Sequence, residues 1–244
     1  GQAVLYDNAQ LKAFIQTLPF ELTDGQKKVV NEICFDLRAP YEMNRLLQGD
    51  VGSGKTIVAT IAMVATALTG KQAALMVPTE ILAEQHMLTI EKLIQGTPLK
   101  AVLLTGSMNR SQKKRKELLA QIESGEANLI IGTHALFQQD VTFKDLAFVV
   151  IDEQHRFGVQ QRQALAGKGA GVNVLQMTAT PIPRTLAITA FGEMDTSILS
   201  EIPRGRQPIK TSWVREQEME QIFNFVERQI QEGRQAYMIS PLIE

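Results

Sequence analysis

Apolar residues along this chain fall into short runs separated by longer stretches with helical spacing. Six runs read as strands, at residues 46–47, 73–77, 101–104, 129–131, 148–151 and 174–177. Each is apolar, apart from Gln176 in the last, as expected of a strand buried on both faces. Between them, residues 57–68, 80–94 and 112–122 carry apolar positions at helical intervals. Strands alternating with helices predict βαβ units, and so an α/β fold with a parallel sheet and helices on both faces.

The texture changes after Glu201. Ile202-Pro203-Arg204-Gly205-Arg206-Gln207-Pro208 is rich in turn formers and charge and reads as a linker. Beyond it, 209–214 is expected as a strand, Met219, Ile222, Phe223, Val226 and Ile230 mark one face of a helix with Gly233 as its stop, and 236–239 is expected as another strand. One βαβ piece buries its own apolar face poorly, so 209–244 reads as the truncated start of a second α/β domain. The expected domain plan is a linker or a helix from a preceding domain over 1–18, a main domain over 19–201, a linker over 202–208 and the second domain from 209.

The first chemical signal lies between the run at 46–47 and the helix from 57. Gly49-Asp50-Val51-Gly52-Ser53-Gly54-Lys55-Thr56 fits a phosphate-binding loop at every position. Glycines let backbone N–H groups converge on a β-phosphate, Lys55 reaches the β- and γ-phosphates, and the Thr56 hydroxyl is placed to ligate Mg²⁺. ATP with Mg²⁺ is therefore the expected cofactor. The second signal closes the apolar run at 148–151, where Asp152 and Glu153 follow directly. Phosphate-loop enzymes place a metal-binding carboxylate at such a strand end. Asp152 then serves the metal and Glu153 accepts a proton from the attacking water; taken alone, the pair also suits a helix cap.

Composition narrows the partners. Among 244 residues, 25 basic side chains face 26 acidic ones, so no global positive field points to nucleic acid, and any such partner is held locally. The single cysteine, Cys34, has no internal disulfide partner and reads as a buried, inert thiol in a reducing compartment. The longest apolar stretch, 57–68, is too short to span a bilayer, so no membrane partner is expected. Opening on Gly1 with no methionine, the chain is expected to be an excised fragment or to carry a tag remnant.

The phosphate loop, Asp152-Glu153-Gln154-His155 and Thr178-Ala179-Thr180 together resemble a superfamily 2 helicase motor. Further segments are similar to the same plan. Phe20-Glu21-Leu22-Thr23-Asp24-Gly25-Gln26 resembles the adenine-reading Q motif, Pro78-Thr79-Glu80-Ile81-Leu82-Ala83-Glu84-Gln85 resembles motif Ia, and Gly132-Thr133-His134 resembles motif Ib. The extended segments from Asp152 to Val159 and from Met177 to Thr185 are similar to the RecG family of branch-migrating ATP-dependent DNA helicases, and slightly less to the transcription-repair coupling translocases. In the latter an acidic residue is expected where Gln154 stands.

The resemblance implies a RecA-like P-loop NTPase domain, with Gln26 reading adenine and Phe20 stacking on it. It implies that Thr79, Thr105, Gly106 and Thr133 hold phosphates of a DNA strand, and that Gln154, His155, Thr178 and Thr180 link the γ-phosphate to the DNA side. The partner it implies is branched DNA, such as stalled forks and four-way junctions, handled by a monomer in the bacterial cytoplasm or nucleoid. A branch-gripping wedge domain is expected before residue 1. The chain alone is then expected to hydrolyse ATP very slowly. Alternatives are a double-stranded DNA translocase, a nucleotide-gated binding module without useful hydrolysis, and an RNA helicase. Two features stay open: Lys113-Lys114-Arg115-Lys116 touches duplex DNA or is a solvated face, and Arg184 approaches a phosphate or pairs with a carboxylate.

Overall fold

A computed structural model describes residues 3–107, 111–152, 164–165, 167–179, 194–200 and 210–239. The chain divides into two units, Gly1–Arg204 and Gly205–Glu244.

In the first unit the strands are β1 (Asn44–Gly49), β2 (Gln72–Met76), β3 (Ala101–Leu104), β4 (Leu129–Gly132), β5 (Leu146–Asp152), β6 (Asn173–Thr178) and β7 (Asp195–Leu199). They form one sheet in the order β3-β4-β2-β5-β6-β1-β7. Every described ladder in it is parallel. The helices are α1 (Asn8–Gln16), α2 (Asp24–Arg38), α3 (Lys55–Ala67), α4 (Glu80–Leu93) and α5 (Gln112–Ser124). All six expected strands are present, each within two residues or so of the apolar run that announced it.

Both faces of the sheet are buried. In β5, Phe148 and Val150 join one core with Leu47, Leu175 and Met177, while Val149 and Ile151 join another with Ile130, Leu104 and Ile122. This alternation across a strand with no polar interior residue explains its continuous apolar run. Helix α3 is buried at nearly every position because α1 and α2 cover the side that the sheet does not. Residues 4–18 pack on that same core through Val4, Leu11, Phe14 and Leu18.

Strand β7 carries no apolar run. Its sequence is Asp-Thr-Ser-Ile-Leu, and only Ser197 and Leu199 are buried. A polar network holds it to the rest. Arg45 on β1 pairs with Asp36 on α2 at 2.6 Å and donates to Ser197 Oγ at 2.9 Å, while Ser197 Oγ donates to Glu32. Also toward the N-terminal ends of the strands, buried Asn173 accepts from Met43 N at 2.8 Å and donates to Ala147 O at 3.0 Å, joining the starts of β1, β6 and β5.

In the second unit the expected helix is present as α6 (Met219–Gln231), and it stops at Gly233, whose φ is +84°. The two expected strands are not. Residues 210–214 and 236–239 are irregular and almost wholly exposed, and residue 209 lies outside the described set. A strand exists through the ladder it makes with a neighbour. Neither segment has one among the described residues.

Among the described residues no helix is long and apolar enough to cross a membrane. Cys34 is buried on α2, and burial pushes its thiol up to about 11, against smaller opposing effects of the Tyr6 hydroxyl and the Arg38 charge. A thiol reagent at pH 8 is therefore expected to leave the native protein unlabelled and to label it once denaturant is added; labelling without denaturant contradicts this burial. Because the folded value is raised, the thiol's contribution to stability is complete below about pH 9 and is lost as pH rises through about 11.

Candidate functional site

At the C-terminal end of β1 the backbone turns sharply. Gly52 and Gly54 have φ of +82° and +91°, a region that costs other residues energy and that lets successive N–H groups converge on one point. Gly54 is also the N-cap of α3 and supplies no side-chain cap, so the first N–H groups of α3 face the same loop. Space is tight. A Cβ on Gly54 would collide with the Gln26 amide, and one on Gly49 would lie 2.6 Å from Ser53 Oγ and 3.1 Å from Leu199 Cβ.

Inside this turn Lys55 is only 8 % exposed, and its ammonium donates to the carbonyl oxygens of Gly49 and Asp50. Ser53 Oγ is buried and has no hydrogen-bond partner among the described residues. A buried cation, an orphaned hydroxyl and convergent amides together suit a polyphosphate. Thr56 follows on the first turn of α3 and is half-buried.

Gln26 braces the loop from α2. Its Oε1 accepts from Thr23 N at 3.0 Å while its backbone N–H donates to Thr23 Oγ1 at 3.1 Å, forming a capping box. The other end of the side-chain amide donates to Ser53 O at 3.3 Å. The structure thus gives Gln26 a role at the phosphate loop that its place in a Q-like motif did not reveal. Phe20, just before this helix, is 47 % exposed and free of the core.

Asp152 closes β5. In register it lies beside Met177, and Thr178 lies beside Gln48 of β1. The ends of β5, β6 and β1 therefore bring Asp152, Thr178 and Gly49 to one level of the sheet, with the outer two separated by two strand spacings, roughly 10 Å. Asp152 Oδ2 lies 3.3 Å from His86 Nε2 on α4. Glu153, Gln154, His155, Thr180 and Arg184 lie outside the described residues. Among the described residues no group of three His, Cys, Asp or Glu side chains is gathered for a metal.

The remaining expected contacts follow the neighbouring strands β2, β3 and β4. Thr79 caps α4, its hydroxyl accepting from Leu82 N at 3.3 Å, and it stays exposed. Thr105 is buried, with its hydroxyl 3.2 Å from that of Ser107, so its side chain braces the loop while Gly106 and Ser107 are exposed. Glu80 ties this loop to α4 by accepting from Ser107 N at 2.8 Å. Gly132 brings Thr133 alongside, since any Cβ on it would collide with the Leu104 carbonyl. Of the basic run, Lys113, Lys114 and Lys116 are exposed, whereas Arg115 is held by Asp140 at 2.6 Å and Gln138 at 3.0 Å.

His86 is the site neighbour that sequence reasoning missed. The motif-like segment ends at Gln85, yet His86 falls on the stripe of α4 that carries buried Ala83 and Ile90. A polar side chain on a buried stripe is the signal that marks it.

The DEAD/DEAH box helicase family matches residues 23–188. The proteins called ATP-dependent DNA helicase RecG in Staphylococcus epidermidis and Bacillus subtilis are 58 % and 55 % identical to it over 98 % of this chain. The chain spans 35 % of their length. A solved structure of RecG bound to a three-way DNA junction matches with a TM-score of 0.84 and 39 % identity, covering 100 % of this chain and 32 % of that one. The DUF1998 helicase MrfA bound to DNA, at 16 % identity over 80 % of this chain and 30 % of its own, shares the fold with a TM-score of 0.60.

Replacing Gly54 with alanine is expected to destabilise the protein by more than the roughly 1–2 kcal/mol of a left-handed backbone alone, because Gln26 must also move. Gly70, with φ of +87° and nothing within 4 Å, supplies the control for the backbone part. Equal losses in denaturant titrations of the two variants would contradict the tight packing at the loop.

Proposed function

Given that this chain belongs to the DEAD/DEAH box helicase family, we propose that it is the ATP-binding part of a RecG-type DNA helicase motor that remodels branched DNA. A single observation carries the reading: identity of 58 % to a RecG protein over 98 % of the chain, an alignment that takes in the phosphate loop, Asp152 and the loops after β2, β3 and β4. The three-way DNA junction bound to the RecG of the solved structure supports branched DNA as the partner. The setting is the bacterial cytoplasm, and stalled forks and four-way junctions in recombination and repair are the substrates.

In this reading the amides of residues 52–56 cradle the β-phosphate, and Lys55 exchanges the Gly49 and Asp50 carbonyls for phosphate oxygens. Thr56 and Asp152 hold Mg²⁺, which supplies neutralisation of charge on the β- and γ-phosphate oxygens. Glu153 orients the attacking water and takes its proton. Gln26 and Phe20 receive the adenine, so the Gln26 contact to Ser53 O reports nucleotide occupancy directly to the phosphate loop. Gln154, His155, Thr178 and Thr180 pass the state of the γ-phosphate toward the DNA side.

The DNA strand lies across the ends of β2, β4 and β3, where Thr79, Gly106 and Thr133 offer backbone amides and hydroxyls to phosphates, and Thr105 stiffens its loop from within. Contacts of this kind position a strand without reading bases, as a motor that moves along any sequence requires. The remainder of a protein of the relatives' length supplies the second motor domain and its arginine, an element that contributes roughly 10³–10⁵ in rate. The domain plan of residues 19–201, a linker over 202–208 and a second domain from 209 belongs to this proposal.

Calorimetric titration with Mg-ATP and Mg-ADP is expected to show binding to the wild type that Lys55→Ala abolishes. With the full-length protein, fork remodelling is expected to vanish with Lys55→Ala, and branched DNA is expected to outcompete RNA. Binding that persists in Lys55→Ala would refute the phosphate-loop reading. Brisk ATP turnover by these 244 residues alone, abolished by Glu153→Gln, would refute the need for a second domain.

A further inference from the structure

Helix α4 touches both halves of the proposed motor. At its N-terminus Thr79 caps it and Glu80 accepts from Ser107 N at 2.8 Å, so its first turn is fastened to the loops assigned to DNA. Seven residues later, about 10 Å along the axis, His86 Nε2 meets Asp152 Oδ2 at 3.3 Å. Both side chains are largely withdrawn from solvent, at 15 % and 13 % exposure. Ala83 and Ile90, one turn to either side of His86, are buried in the core, and the helix packs on β3 and β4. The imidazole is therefore presented from a helix packed on the sheet and not from a loop.

We infer that His86 is a positioning residue that donates from Nε2 to Asp152 and so makes the orientation of this carboxylate depend on where α4 sits. The inference rests on the reading of Asp152 as a metal-binding carboxylate. Its physical basis is rotational. A carboxylate at a strand end turns about its Cβ–Cγ bond, and a directional N–H donor on one oxygen selects one rotation. Partners behind a metal ligand act in this way, and losing one typically lowers metal affinity by about 10–100-fold. The strand order adds the consequence. β2, which leads into α4, is the neighbour of β5, which ends in Asp152, so the contact crosses from the strands that carry the DNA loops to those that carry the nucleotide loops. A shift of α4 driven by a strand of DNA at Thr79 and Ser107 then moves the donor at His86, and with it the cation site.

The test uses the full-length protein as wild type, His86→Leu, His86→Asn and His86→Gln. A fluorescent ADP analogue is titrated with Mg²⁺ and again with EDTA, in the presence and absence of forked DNA. Glutamine carries its amide nitrogen as many bonds from Cα as histidine carries Nε2, whereas asparagine falls short and leucine has no donor. The gain in ADP affinity due to Mg²⁺ is expected to fall by about 10-fold or more in His86→Leu and His86→Asn and to be restored in His86→Gln. Affinity in EDTA is expected to be equal in all four, which also shows that each variant is folded. Forked DNA is expected to alter the Mg²⁺-dependent gain in the wild type and in His86→Gln only. A Mg²⁺ dependence in His86→Leu and His86→Asn equal to that of the wild type would overturn the inference, as would a His86→Gln variant as impaired as they are. A wild type that binds no ADP in either buffer would instead overturn the nucleotide reading beneath it.

Discussion

Parallel pairing of the strands is the constraint from which the rest of this structure follows. Because each described ladder runs the same way, the C-terminal ends of all seven strands come out on one edge, and every loop that leaves a strand there is a neighbour of the others. Strand order then sorts the chemistry. β5, β6 and β1 deliver Asp152, Thr178 and the phosphate loop to one half of the edge, while β3, β4 and β2 deliver Gly106, Thr133 and Thr79 to the other. Ligands of open α/β sheets bind outside these strand ends.

The phosphate loop is held in shape from three sides by contacts that admit little variation. Gln26 presses on Gly54 from α2, Leu199 of β7 presses on Gly49, and Lys55 threads the interior. Helix α2 is itself fixed to β1 and β7 through Arg45, Asp36, Glu32 and Ser197. A side chain on α2, far from the loop in sequence, thus contributes to the loop's geometry through the same few hydrogen bonds. A helix that lies outside the turn thus helps to set its shape.

Much of this was legible in the sequence, for a physical reason. Strands buried on both faces are mainly apolar, so β1 to β6 announce themselves by apolar runs within them, and a loop shaped to wrap phosphate is rich in glycine. What escaped was set by partners that lie far away in the chain. β7 is an edge strand held by Ser197 and a charged network, and its sequence has no run to find. Residues 210–214 and 236–239 have the residue types of strands, but residue type does not supply a ladder partner. Thr105 has the residue type of a surface hydroxyl, yet it is buried, with its hydroxyl 3.2 Å from that of Ser107. His86 stands one residue beyond a motif-like segment, and only the fold brings it to Asp152.

The central claim is that one sheet edge holds two separate sites, nucleotide on the ends of β1, β5 and β6 and DNA on the ends of β2, β3 and β4. Hydrogen exchange of the full-length protein, with Mg-ADP and with forked DNA added in turn, tests it most directly. The account predicts that nucleotide protects amides of residues 49–56 and that DNA protects those of residues 79–80, 105–107 and 132–134. Protection of 105–107 and 132–134 by nucleotide alone, with 49–56 unchanged, would contradict it.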